Sequence, residues 1–305
     1  IRAYIQRLGL IDAIKSMVPN EMDANVGLIV CGMIQDTFSG RSPLYHLEQF
    51  MRKKDTELLL GTKVEADMFA DHNVGRAMDH IYEVGAARVF SEVARRAAIL
   101  YNLDLSSGHW DSTSVSVWGD YNVYNEKDEA DTRLRIDYGY SKDGRPDLKQ
   151  FMVEMLCVEG NIPIMGDCQD GSSSDKTLNK KLLNRIGNSM SKNGLREEAF
   201  TYIADSAMVT EDNLKCFLTV EDQPPLYFVT RLPFNYSETN RVVTEAVQAN
   251  AWQPIEQIAG MHSHSNRPVA QYQSYESNVT LYGNAYRATV IHSDAHDKRR
   301  QKRLQ

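Results

Sequence analysis

Apolar side chains recur at helical spacing along the first third of the chain. In the opening segment they fall at three- and four-residue steps, which predicts one amphipathic helix carrying Ile1, Tyr4, Ile5, Leu8, Ile11 and Ile14. Similar steps predict further helices over 26–33, after Pro43, from a capping Asp71 to a terminating Gly85, and over 89–100. We therefore predict an all-α domain over residues 1–102.

Beyond Leu105 the helical period gives way to short β-branched segments. Strands are predicted around Val115 and Val117, over 151–158 and 161–168 as a hairpin, over 199–204 and over 226–232, with an acidic loop over 122–135 and a helix over 173–190. Strands in hairpin order followed by a helix and a fourth strand are typical of a ribonuclease-H-like sheet. Its first strand lies centrally, beside the fourth.

The predicted fold class is α/β, with four segments along the chain. A ribonuclease-H-like mixed sheet (103–232) follows the all-α domain, and a β-rich insertion (233–291) with short strands over 269–272, 280–282 and 286–291 comes next. A helix is expected to begin in 292–305. The chain opens inside a helical pattern and closes on a charged run, so we expect a fragment truncated at both ends.

Composition limits the classes of protein to which this chain can belong. No apolar run approaches the roughly 18 residues of a membrane span, and no signal peptide is present, so we expect a soluble, cytoplasmic protein. The cysteines lack C-x-x-C spacing, which argues against both a disulfide framework and a zinc site. A net charge of −7 argues against a protein that coats nucleic acid, so any DNA contact must use local basic patches.

Two aspartates stand out as candidate metal ligands. Asp111 lies within a β-branched segment, and Asp205 directly follows another one. If the first and fourth strands are neighbours, two distant carboxylates can hold divalent cations against a phosphodiester, which favours nucleic-acid chemistry. The alternative for either residue is a strand-end carboxylate that pairs with a lysine or caps a turn.

Several ordered motifs carry a resemblance to a known family. The segments are Tyr138-Gly-Tyr-Ser-Lys-Asp-Gly-Arg145, Asp170-Gly-Ser-Ser-Ser-Asp-Lys176 and Ala204-Asp-Ser-Ala-Met208, preceded by Gly40-Arg-Ser-Pro-Leu-Tyr45 and Val74-Gly-Arg-Ala-Met-Asp79 in the helical region. Together they resemble the DDE transposases of bacterial insertion sequences, in particular a group with a helical domain before the core. The resemblance spans nearly the whole chain.

The resemblance implies a chemistry and a set of partners. Such transposases cut element ends and join them to target DNA by transesterification, using two Mg²⁺ (or Mn²⁺) ions held by two Asp and one Glu. Asp111 is then the first acid, which bridges both ions, and Asp205 the second. Double-stranded DNA is the implied partner, bound by a homodimer at the bacterial nucleoid.

The third acid departs from the family pattern. The catalytic Glu is expected on a helix beyond Gln305, after the insertion. Glu245, Glu256 and Glu276 are present but lie in the wrong sequence context. The chain is therefore predicted to be catalytically incomplete.

Two interpretations remain open for each of the other candidate site residues. Lys142, Arg145, Lys149 and Lys176 either contact DNA phosphates or belong to solvated surface. Asp170 is either a second-shell residue near the metal site or, with Asp175, a turn and helix cap. His109 either tunes Asp111 from the same strand face or packs.

Two rival functions remain open, as does the role of the helical domain. A hydrolytic nuclease of the same fold would cut DNA without joining strands, and a non-catalytic DNA-binding remnant would do neither. The helical domain either recognises element ends or serves dimerisation, and its balanced charges do not separate these roles.

Overall fold

The chain divides into two compact units. A computed structural model describes residues 1–19, 21–121, 133–173, 200–217, 226–255 and 271–294. The first unit comprises Ile1–Ala204 and Phe217–Val229, and the second comprises Asp205–Cys216 and Thr230–Gln305. Within the described ranges, no helix combines the length and the apolar character that crossing a membrane would need.

Helices fill the first hundred residues, as predicted. Their bounds are α1 Arg2–Leu8, α2 Leu10–Met17, α3 Val26–Ser39, α4 Leu47–Arg52, α5 Thr56–Leu60, α6 Asp71–Val84 and α7 Ala86–Tyr101. The prediction of one opening helix is wrong, because Gly9 adopts a φ of 57° and separates α1 from α2. The apolar spacing continues across this break, since Ile5, Leu10 and Ile14 are all buried.

The helical core depends on close approach of α3 to its neighbours. Ile14, Ile29, Leu47 and Phe69 are essentially inaccessible to solvent. A Cβ on Gly27 would collide with the carbonyl oxygen of Ile11, so glycine lets α3 lie directly against α2.

Two predicted helix ends differ in detail. Asp71 is the first residue of α6 and makes no capping bond; the N-cap is Ala70, so the predicted helix start was one residue too late. The Asp71 carboxylate still lies in the first turn, where the helix dipole favours it. Gly85 has the expected positive φ, 97°, but its ψ of 109° lies outside the left-handed helical region. Leu100, an apolar residue at the end of the helix predicted over 89–100, is 48% exposed.

A five-stranded mixed sheet follows the helices, and it has the ribonuclease-H-like order predicted. The strands are β1 Ser107–Val117, β2 Lys149–Val158, β3 Ile162–Gln169, β4 Phe200–Ala204 and β5 Leu226–Thr230. They lie in the order β3-β2-β1-β4-β5, with β2 antiparallel to β1 and β3, and with β4 parallel to β1. The first strand is therefore central and adjacent to the fourth. The predicted acidic loop and the helix before β4 fall mainly outside the described residues.

The two faces of β1 differ in exposure. Gly108, Trp110, Ser112 and Ser114 are buried, whereas the odd-numbered residues from His109 to Val115 are exposed. Such alternation follows from the two-residue period of a strand. The buried face carries two serines, which is unusual for a central strand and requires polar partners.

Among its described residues, the second unit has two helices and a three-stranded antiparallel sheet. Its elements are α8 Glu211–Lys215, α9 Ser237–Ala249, β6 Gln253–Pro254, β7 Tyr272–Leu281 and β8 Asn284–Ser293. The prediction of short strands is wrong at 280–282: β7 ends at Leu281, and Tyr282-Gly283 forms the hairpin turn with φ values of 50° and 81°. β8 also continues to Ser293, past the predicted boundary at 291. The sequence reading missed α9.

Helix α9 is attached to β7 by both apolar and charged contacts. Val242 and Ala246 are buried on the helix, and Val279 and Leu281 on the strand. Arg241 donates to Glu238 at 2.9 Å and to Glu245 at 3.0 Å, and also to the carbonyl of Asn278 on β7. Glu238 in turn accepts from the Thr280 N–H at 2.9 Å.

Candidate functional site

Asp111 lies in the middle of β1 on its exposed face. It stands opposite Met155 of β2, and its side chain is 90% exposed. One carboxylate oxygen, Oδ1, accepts from the backbone N–H of Ser112 at 2.8 Å. A rigid central strand thus presents a carboxylate that is both oriented and accessible.

Lys142 reaches β1 from the segment between β1 and β2. Its Nζ donates to the Ser112 carbonyl and to Ser112 Oγ at 3.3 Å, and lies 3.8 Å from Asp111 Oδ1. Its backbone N–H donates to Ser114 Oγ at 3.2 Å. The two buried serines therefore find partners in this segment, and their contacts place a positive charge beside Asp111.

The recorded pairing of β1 with β4 ends before Asp111. Parallel pairing of β1 with β4 is recorded from Ser107 to His109, opposite Thr201 to Ile203. In an antiparallel pair, the N–H and C=O of one residue point to the same side of its strand. The Ser112 N–H donates to the Asp111 carboxylate, and the Ser112 carbonyl oxygen accepts from the Lys142 ammonium. Beyond the segment paired with β4, side chains therefore supply hydrogen-bond partners for the backbone of β1.

His109 lies on the same face as Asp111, as predicted from the two-residue spacing. The structure places it on the exposed side of the strand rather than in the packed interior. The interpretation of His109 as a packed histidine is therefore wrong, while a role in tuning Asp111 stays a prediction.

Asp205 is the first residue after β4 and belongs to the second unit. It is exposed, and its Oδ1 accepts from the backbone N–H of Ala207 at 3.0 Å, which caps the short turn Ser206–Met208. Its carbonyl oxygen accepts from Thr230 Oγ1 at 2.7 Å. The residue thus has the strand-end position predicted, together with the turn-capping bond that was its alternative interpretation.

The chemistry of both aspartates suits a hard divalent cation. Each uses one carboxylate oxygen for a backbone N–H, which leaves the other oxygen of each carboxylate for a ligand. Magnesium is commonly bound through one or two carboxylates while it keeps several waters. Within the described residues, no group of three or more His, Cys, Asp or Glu side chains is placed to hold a metal.

Glu245 and Glu276 are engaged in the second unit. Glu245 accepts from Tyr275 at 3.1 Å and from Ser277 at 3.2 Å, besides Arg241. Glu276 accepts from Thr289 at 2.9 Å. Glu256 lies outside the described residues. The first two have structural roles, which agrees with their exclusion as the third acid.

The predicted DNA-contacting residues differ in accessibility. Arg145 is 47% exposed in its side chain and binds Asp147 through two bonds of 2.8 and 2.6 Å. Lys149 is only 8% exposed; its ammonium donates to the Asp120 carbonyl and lies 5.8 Å from the ring centre of Tyr138. Lys176 lies outside the described residues.

Asp170 fastens a loop to the sheet. Its Oδ1 accepts from the Arg135 N–H at 2.7 Å, and Gly171 donates back to the Arg135 carbonyl at 2.9 Å. A Cβ on Gly139 or Gly171 would collide with backbone atoms there. The Ser173 N–H donates to the Asp170 carbonyl oxygen at 2.9 Å, which forms the turn predicted at Asp170. A role of Asp170 near the metal site stays a prediction, and Asp175 lies outside the described residues.

Sequence reasoning missed Ser112, whose backbone and hydroxyl hold Lys142 beside Asp111. Only one signal was available, the alternation of serine with apolar residues along β1. A serine at a buried position of a central strand indicates a polar partner, but the partner comes from 30 residues further along the chain and local spacing does not identify it.

Comparison with known proteins gives a partial family match and three distant structural likenesses. A family model described as a domain of unknown function (DUF4277) matches residues 1–95. No curated protein matches the sequence.

Among solved structures, the chain is similar to the piggyBac transposase synaptic complex with hairpin DNA, at 12% identity and a TM-score of 0.41. The match covers 90% of this chain and 59% of that one, so the chain spans less than two thirds of that protein's length. A Mos1 transposase paired-end complex with the left transposon end matches at 7% identity and a TM-score of 0.26, covering 72% of this chain and 70% of that one. A Mos1 mariner paired-end complex with Mn matches at 9% and 0.25, covering 76% and 91%.

Proposed function

We propose that the chain is a metal-dependent DNA transposase or a part of one, which cuts the ends of an insertion sequence and joins them to target DNA. The observation that carries the proposal is the strand register. Asp111 and Asp205 each come two positions after the last recorded pair of β1 and β4, His109 with Ile203. Parallel neighbours with this register direct equivalent positions to the same face of a sheet.

In the proposed site, Asp111 and Asp205 would hold two Mg²⁺ or Mn²⁺ ions together with the glutamate that the resemblance to DDE transposases implies as the third ligand. The ions supply activation of the attacking oxygen and charge stabilisation at the leaving oxygen of an in-line displacement at phosphorus. The chain's own contribution is orientation. The N–H groups of Ser112 and Ala207 fix one oxygen of each carboxylate, so the ligands need little rearrangement when charge develops.

The proposed partner is double-stranded DNA, bound by a homodimer in the bacterial cytoplasm. With a net charge of −7, the chain as a whole repels phosphates, so the DNA must meet local positive groups. Arg145 and Lys142 supply such groups near β1, and Arg145 has the more exposed side chain.

A strand-transfer assay on the full-length protein tests the proposal. Labelled duplexes from the DNA that flanks the reading frame are incubated with target plasmid and Mg²⁺ or Mn²⁺. We expect cut ends and joined products with the wild type. Asp111→Asn and Asp205→Asn should each lower the rate at least about a hundredfold, because each removes a charge from the metal site. DNA affinity should change little.

Asp79→Asn is the matched control, since it removes an exposed carboxylate from α6, and it should retain activity. Cut but unjoined DNA would indicate the hydrolytic nuclease instead. DNA binding without any cleavage, by a protein whose extended sequence has no glutamate on a following helix, would indicate the non-catalytic remnant. Full activity of Asp111→Asn would refute the site assignment.

A further inference from the structure

We propose that Lys142 couples cation binding to DNA binding: its ammonium group competes with a divalent cation for Asp111 until a DNA phosphate neutralises it. This inference rests on the proposed function, because it takes Asp111 as a cation ligand. It assigns to Lys142 a regulatory role in addition to the phosphate contact suggested by the sequence.

The first support is the fixed position of the ammonium. A lysine ammonium has three donors. Two of the recorded acceptors are the carbonyl and hydroxyl oxygens of Ser112, and the Lys142 backbone is itself held by Ser114. A lysine attached at both its backbone and its tip cannot move freely away when a cation approaches.

The second support is the distance to the carboxylate. Lys142 Nζ lies 3.8 Å from Asp111 Oδ1, without an optimal hydrogen bond between them. At this separation the positive charge repels a second cation that binds the same carboxylate. The lysine therefore weakens cation binding in the absence of DNA.

The third support is partial exposure. The Lys142 side chain is 34% exposed, so a phosphate oxygen can approach it from solvent. A bound phosphate offsets the positive charge and lowers its repulsion of the cation. By thermodynamic reciprocity, cation binding then strengthens DNA binding by the same factor.

Measurement of Mn²⁺ binding by electron paramagnetic resonance tests the coupling on the full-length protein, with and without a short duplex from the flanking DNA. The variants are Lys142→Met, which removes the charge, and Lys142→Arg, which keeps it. Lys215→Met serves as the matched control, because Lys215 is an exposed lysine paired with Glu211. Thermal melting confirms that each variant is folded.

For the wild type we expect DNA to tighten Mn²⁺ binding. Lys142→Met should bind Mn²⁺ about fivefold more tightly without DNA, since one nearby positive charge is gone. DNA should then have a much smaller effect on its Mn²⁺ affinity. Lys142→Arg and Lys215→Met should behave as the wild type.

The outcomes separate this inference from the proposed function. If the wild type shows no Mn²⁺ binding that Asp111→Asn removes, the proposed metal site itself fails. If that binding is present but Lys142→Met leaves it unchanged or weakens it, the coupling is refuted and the metal site stands. A loss of DNA affinity with unchanged Mn²⁺ affinity, with and without DNA, would make Lys142 a simple phosphate contact and would also refute the coupling.

Discussion

The two candidate metal ligands, Asp111 and Asp205, are each oriented by a backbone group close to them in sequence. Asp111 is fixed by the next residue's N–H, and Asp205 by the N–H two residues on. Such local bonds are geometrically accessible to short polar side chains and compete with regular secondary structure. They explain how carboxylates at a strand and at a strand end are held in place while they stay open to solvent.

Glu238 provides a pH-dependent test at this scale. The Arg241 guanidinium, with the Thr280 N–H, lowers the pKa of Glu238 from 4.5 to about 2. A lowered pKa in the folded state stabilises the fold above the ordinary pKa of the group, and this contribution is lost as the pH falls from about 4.5 towards 2. We expect Glu238→Gln to have a lower melting temperature than the wild type at pH 7. Below pH 4, the difference in melting temperature between the two proteins should become smaller.

Melting curves followed by circular dichroism between pH 7 and pH 2 measure this difference. Glu211→Gln is the matched control, because Glu211 is also an exposed helical carboxylate paired with a nearby cation, Lys215, at 2.8 Å. A difference between wild type and Glu238→Gln that stays constant over the whole pH range would contradict the proposed cause.

At the scale of elements, close packing is decided by glycines as much as by large apolar residues. Gly27 and Gly32 lie on the face of α3 that meets Ile11 and Phe69. Helical spacing correctly identified α3, because apolar residues follow the helix period. It gave no information on the crossing distance, since a glycine at a contact and a glycine on the surface look the same in sequence.

Two glycine-to-alanine substitutions test this packing. Gly27→Ala should destabilise the fold by about 1–3 kcal/mol, because the new Cβ collides with the Ile11 carbonyl oxygen and forces a backbone shift. Gly75→Ala, in α6, should stabilise it by about 0.5–1 kcal/mol, since no atom lies within 4 Å of the added Cβ and alanine favours the helix. Chemical denaturation measures both changes, and equal effects of the two substitutions would contradict the packing described for α3.

For the whole molecule, the placement of charge limits how DNA can bind. The net charge is −7, and the basic residues near β1 have unequal access to solvent. Lys149 is nearly buried, whereas Arg145 is half exposed and paired only at the surface with Asp147. From the sequence, both residues were candidate DNA contacts; in the structure they differ in exposure to solvent.

Substitution of each residue tests this separation. Arg145→Gln should weaken DNA binding and reduce the slope of log affinity against log salt by about one, because one phosphate contact is lost. Its melting temperature should change little, since exposed ion pairs contribute little to stability. Lys149→Met should lower the melting temperature, because the Asp120 carbonyl loses its donor. Fluorescence anisotropy over a salt series and thermal melting check these results. If Lys149→Met kept the wild-type melting temperature and reduced the salt dependence of DNA binding more than Arg145→Gln does, Lys149 and not Arg145 would be the phosphate contact.

The sequence by itself determined most helices of the first hundred residues, but not the break at Gly9 or the short α5, and it determined the strands β1 to β5 with β1 beside β4. It could do so because each element follows from the period of its apolar residues and from the residues that end it. The contacts around Asp111 were decided only by the tertiary structure. Lys142 reaches Ser112 across 30 residues of chain, and Ser112 lies beyond His109, the last residue of β1 with a recorded pair on β4. Pairing length and the return path of a loop depend on how distant segments pack, and no local pattern of residues records them.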